Sequence, residues 1–170
     1  LTLTKIDSEG RVLWQQMLGA STDASGAAVS IAANGDVVVA GTVSGAFDGA
    51  ASDGDMLVAR HSASGDEQFA TLVRAIGVEQ ASAIASAPDG SIYIGGTAKG
   101  VGGFGSGDAV IAKLDANGLV TARRTIDAGG SESLRALGLA ADGSLLALTS
   151  ESGHAVLRQI DSATLGVDSA

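Results

Sequence analysis

The sequence has no cysteine. That excludes disulfides, thiolate nucleophiles and cysteine-based zinc or iron–sulfur centres, and it says little about compartment. It has one proline, which with its many strand-forming residues argues against collagen-like or disordered chains. Aromatic residues make up 3%, although 45% of the chain is hydrophobic, so the apolar mass is Ala, Val, Leu and Ile. Basic residues are few and scattered: 10 Lys and Arg face 19 Asp and Glu, for a net charge of −9. A nucleic-acid binder needs a basic footprint to release phosphate counterions, so that class is set aside, with anionic membrane surfaces. No apolar run reaches the ~18 residues of a spanning helix, so membrane insertion is not expected. The chain has neither an initiator Met nor a signal-peptide pattern and opens inside a strand-like segment, which reads as a piece of a longer protein.

What the chain does have is glycine, 25 residues of it, and repetition. A basic residue closes an apolar run at Lys5, Arg60 and Lys113, with Gln159 in the same place later. A turn recurs as Ala33–Gly35, Pro88–Gly90 and Ala141–Gly143. Both anchors step by 55 and then 53 residues. Self-similarity at such a period marks a repeat architecture. The repeat-based division is 1–54, 55–107 and 108–153, with 154–170 opening a further unit.

Each unit holds four segments. The first is the apolar run (TLTKID, MLVARH, AVIAKLD, AVLRQID) and the second follows a glycine turn (RVLWQQML, DEQFATLV, LVTARRTI). The third is small and apolar (GAAVSIAA, ASAIASA, RALGLAA), and the fourth follows Asn-Gly or Asp-Gly (DVVVAGTV, SIYIGGTA, SLLALTS). Those dipeptides predict type I′ turns, pairing segments three and four as hairpins. The turns SEG, ASG and ANG join segments one and two in the same way. Val37–Val39, Ile92–Ile94 and Leu145–Leu148 are too short for helices and predict strands buried on both faces. Ser131 and Glu132 before Leu134 resemble a helix start, but the equivalent Ala/Ser segments lack a helical stripe, so a strand is expected. Four short antiparallel strands per repeat predict an all-β fold of β-propeller blades, three blades and one strand.

The units resemble the bacterial SBBP-type propeller repeat. The resemblance rests on GSGDAVIAKLDANG, DGDMLVARHSASG, Trp14 with Phe69 one unit on, Met17–Ser21, VVVAGT and IYIGGT, and covers almost the whole chain. The third unit departs, with Ala122 or Arg123 near the Trp position and no glycine in LLALT. Known propellers close with about four to eight blades, so this chain is expected to be part of a larger propeller or to be completed by association. The resemblance implies a secreted or cell-surface bacterial protein.

Candidate chemistry is sparse. Asp48, Asp53 and Asp55 offer oxygen ligands for Ca²⁺, but the EF-hand spacing is absent and a solvated loop is the favoured reading. Gly102–Val110 approximates a Ca²⁺-binding nonapeptide with its Asp one place late, and reads as an inter-blade loop. His61 sits in a mostly apolar strand slot and His154 at a strand entrance, with no adjacent nucleophile or ligand set. Lys5, Arg60 and Lys113 are the interaction candidates: a basic ring suited to an anion, or, as favoured, strand caps paired to nearby Asp. Trp14 is assigned to blade packing before sugar stacking. The expected function is a non-catalytic scaffold or protein-interaction module, appendage- or flagellum-linked, acting through a protein partner or self-association. A carbohydrate- or Ca²⁺-binding module and a fragment of a propeller enzyme are the alternatives. No cofactor is required by these residues.

Overall fold

The computed structural model describes residues 1–74, 77–99 and 107–166. These residues form thirteen strands in four antiparallel sheets, with no helix among them. Strands β1 (Thr2–Ile6) and β2 (Val12–Met17) make a two-stranded sheet. The second sheet runs β3 (Asp23–Ile31), β4 (Val37–Phe47), β5 (Ala50–His61), β6 (Glu67–Val73). The third runs β7 (Val78–Ser86), β8 (Ile92–Lys99), β9 (Gly107–Leu114), β10 (Val120–Ile126). The last has three strands, β11 (Glu132–Leu139), β12 (Leu145–Glu151) and β13 (His154–Ile160). The segment that begins at Glu132 is therefore a strand.

Two expectations need correction. The repeat boundary at 54/55 falls inside β5, because the fourth segment of one repeat pairs with the first of the next. Register runs from Phe47↔Ala50 to Val37↔His61, so the sheets span 23–73 and 78–126, out of phase with the sequence units. A period fixes the length of a repeat and leaves its phase open. The turns are also not type I′. Only the glycine is left-handed, as at Gly35, Gly90 and Gly143. Gly35 N–H donates to Ala32 O and Ala32 N–H to Asp36 O, a type I turn closed by a glycine bulge. Asn34 instead uses its side chain, accepting the Asp36 N–H.

Packing follows from alternation. In β8, Ile92 and Ile94 join the core shared with the second sheet, while Tyr93 joins the core shared with the fourth. In β9, Val110, Ala112 and Leu114 take the first side, and Ala109 and Ile111 the second. Both faces of the third sheet are thus sealed by neighbours. Full burial of one such Ile or Leu side chain contributes roughly 1.5–3 kcal/mol. A third cluster, Val43, Phe47 and Leu57 with Leu1, joins the N-terminal sheet to the second. Strands β3, β7 and β11 each carry a bulge at the same repeat position, between Gly26 and Ala28, Ala81 and Ala83, and Leu134 and Ala136.

The aromatic position seats neighbouring blades. Trp14 covers Gly65, where a Cβ would stand 2.9 Å from Trp14 Cγ; Phe69 covers Gly118, where it would stand 2.5 Å from Phe69 Cδ2. At the third junction Ala122 leaves the space open, and the longer turn there folds Leu165 (φ 58) into the same core. The sequence departure in this unit is thus offset by a residue from the following one. Gly118→Ala should lower stability by about 2–4 kcal/mol in urea unfolding, from left-handed strain plus displacement of Phe69. Gly10→Ala, with φ 83 but nothing near its added methyl, should lose only about 1 kcal/mol. Equal losses would show that the aromatic seat contributes nothing.

Candidate functional site

The recurring basic residues lie in the seams between blades. Lys5 Nζ donates to Ala63 O at 2.7 Å, and Trp14 Nε1 donates to the same carbonyl at 3.1 Å. One repeat later Arg60 Nη1 donates to Ala116 O at 3.1 Å, and its Nε pairs with Asp36 at 2.9 Å. Lys113 Nζ lies 5.7 Å from the Tyr93 ring, whose hydroxyl donates to Ser162 O at 2.9 Å. A second latch runs alongside: Gln16 Nε2 to Gly65 O, Thr71 Oγ1 to Gly118 O, Arg124 Nη1 to Leu165 O. These side chains join each sheet to the turn of the next, and Arg60 is also paired with Asp36, which belongs to the preceding repeat unit. Burial pushes the Asp36 carboxyl up, but hydrogen bonds from Asn34 and Arg60 outweigh it and hold the group below the usual carboxylate range.

The sequence-predicted aspartates sit in three different settings. Asp48 occupies the tight turn after β4 with φ 47. Asp53 stands opposite Ser44 across the strand pair. Asp55 is buried and pairs with Arg74 Nε at 3.1 Å. Asp53 and Asp55 line a depression with Ala51, Ser52, Arg74 and Gly77, in which Arg74 is paired with Asp55. Of the nonapeptide-like segment, Gly102–Ser106 lies outside the described residues.

A different set of acids converges. Asp108 at the start of β9, Asp127 just after β10 and Glu132 at the start of β11 each place a carboxylate oxygen within 4.8 Å of the other two. Asp108 and Glu132 are buried, and Asp127 is exposed. Glu132 Oε1 accepts the Gly130 N–H at 3.1 Å, whereas its Oε2 is buried with no hydrogen-bond partner among the described residues. Beside them Arg158 grips Glu151 through two bonds of 2.8 and 2.7 Å. That double bond holds the Glu151 carboxyl low and raises Arg158, with Glu132 adding to the rise. Sequence reasoning missed this group because its members come from three separate segments. The signal that could have found it was repeat alignment: Asp108, Asp127 and Glu132 stand 53 residues after Asp55, Arg74 and Glu79.

His61 is buried at the apolar slot shared with Ile6, Leu114 and Ile160, stacked 6.3 Å from Trp14, its Nδ1 without a hydrogen-bond partner among the described residues. Burial pushes its pKa down, against a smaller upward pull from Glu67.

No family model matches the sequence. The chain is similar to regulatory protein FlaEY of Caulobacter vibrioides, 33% identical over 181 aligned positions, spanning 95% of this chain and 19% of that protein. Among solved structures it resembles a protein of unknown function from Bacteroides caccae, with a TM-score of 0.63 at 13% identity, over 98% of this chain and 52% of that one. The latter likeness concerns the fold alone.

The unfolded imidazole takes its proton near pH 6.5, while buried His61 resists protonation to lower pH. The unfolded chain therefore binds more protons below about pH 6.5, and stability should fall as pH drops through 6 and be fully retained above 7. His61→Leu, matching the other repeats, should flatten the urea midpoint between about pH 7 and 5 while leaving the loss near pH 4 that Asp36 contributes. An unchanged slope in the variant would remove His61 as the source.

Proposed function

We propose that this chain is a block of blades in a non-catalytic propeller scaffold of a bacterial secreted or surface-associated protein, linked to a flagellum or similar appendage. The observation that carries this reading is the state of the two outer sheets. The interior sheets have four strands, while the N-terminal one has two and the C-terminal one three. Apolar side chains stand exposed at both ends: Met17 (83%), Leu13, Val29 and Ile31 at one, Leu157 (67%) and Leu148 at the other. Inside the block the equivalent faces are sealed by neighbouring blades, so further blades of this kind fit the two ends. Exposed apolar side chains beside short outer sheets favour association.

Two comparisons support the reading. FlaEY extends far beyond the matched region, and the Bacteroides structure is about twice the span matched. The name of the first, a regulatory protein, favours a regulatory role over catalysis. The latches described above, in which the recurring Lys, Arg and aromatic positions bridge neighbouring sheets, also support this reading.

In isolation the chain should use copies of itself as surrogate blades. Sedimentation across the micromolar range should show species heavier than the 16.6 kDa monomer, and Leu148→Glu with Leu157→Glu should shift the distribution toward monomer without changing the unfolding midpoint. A strict monomer that binds no hydrophobic dye would overturn the open-ended block. Deleting the coding segment in the parent organism should reduce swimming motility; unaltered motility and appendage number would overturn the flagellar part.

A further inference from the structure

We propose that Asp108, Asp127 and Glu132 form a Ca²⁺ site at the seam between the third and fourth sheets. Three carboxylate oxygens lie within 4.8 Å of one another. Calcium binds oxygen at about 2.3–2.6 Å, so oxygens up to ~5 Å apart can share one ion, whereas the ~2.1 Å shell of Mg²⁺ demands a tighter set. Glu132 is 1% exposed, and its Oε2 is buried without a hydrogen bond from any described residue. A buried carboxylate left in that condition is costly unless a cation meets it. Asp127 is exposed, which gives the ion a route in and leaves room for water to complete its shell.

The preceding seam supplies an independent comparison. There the equivalent positions hold Asp55, Arg74 and Glu79, and Arg74 Nε binds Asp55 at 3.1 Å. Two acids and one base at that seam become three acids at this one, because Asp127 stands where Arg74 stood. A bound divalent cation restores the same net charge. The nearby cation Arg158 attracts Glu132, but both of its bonds go to Glu151. The loop aspartates differ in this respect, since Asp55 already has its arginine.

Titration of the EDTA-stripped, dialysed chain with CaCl₂ at constant ionic strength tests the site. One ion should bind per chain, and the unfolding temperature should rise saturably with Ca²⁺. Asp127→Arg, which rebuilds the arginine of the preceding seam, should abolish binding yet fold and melt no lower than the calcium-free parent. Glu132→Gln should weaken binding by roughly tenfold or more, because affinity follows the count of charged ligands. Asp53→Asn should bind as the parent does. Absence of binding heat and of any calcium-dependent melting shift in the parent would overturn the proposal. So would undiminished binding by Asp127→Arg, loss of binding in Asp53→Asn, or equal affinity for Mg²⁺.

Discussion

A strand that is apolar on both faces is stable only between two other sheets, and everything else in this chain depends on that constraint. Val38 and Ala40 face one way along β4, and Val37 and Val39 the other; all four are buried. The third sheet meets the requirement most fully, with separate cores on its two sides. No single repeat can satisfy it alone. Stability is therefore a property of junctions, and the residues that recur with the repeat are largely those that make the junctions close. The aromatic side chain lies over a glycine with no Cβ, and the basic residue reaches the carbonyl of the adjoining turn.

The third junction shows how this constraint is met with different residues. Ala122 supplies no ring, and the turn beyond it is longer, from Asp161 to Gly166. Asp161 Oδ1 accepts the backbone N–H of Ala163 and of Thr164, shaping the turn so that Leu165 enters the core. Arg124 then donates to the Leu165 carbonyl, in the role that Gln16 and Thr71 play at the earlier seams. The contact is preserved although the residues and even the turn length have changed.

Much of this was legible in the sequence. The runs Val37–Val39 and Ile92–Ile94 declared two-sided burial, and the spacing of Lys5, Arg60 and Lys113 declared the repeat. Turn conformation was not legible, because Asn-Gly and Asp-Gly accommodate both a two-residue mirror-image turn and a type I turn with a bulge; the side-chain bond from Asn34 selects the second. Sheet phase was hidden because a periodic string has no marked origin. The acidic seam was hidden because Asp108, Asp127 and Glu132 are ordinary residues in separate segments, and only their convergence distinguishes them. Asp48, Asp53 and Asp55 are the converse, a dense cluster in sequence in which Asp55 is paired with Arg74.

The offset between repeat and sheet has a consequence for how such a chain can change length. Each four-stranded sheet borrows its halves from two successive repeats. A recombination event that duplicates or deletes one full period of the gene therefore yields whole sheets wherever its breakpoints fall. What it does not preserve is which neighbours meet: a hybrid seam that sets Asp127 beside Asp55 in place of Arg74 would alter the charge balance while leaving every hydrogen-bonded ladder intact.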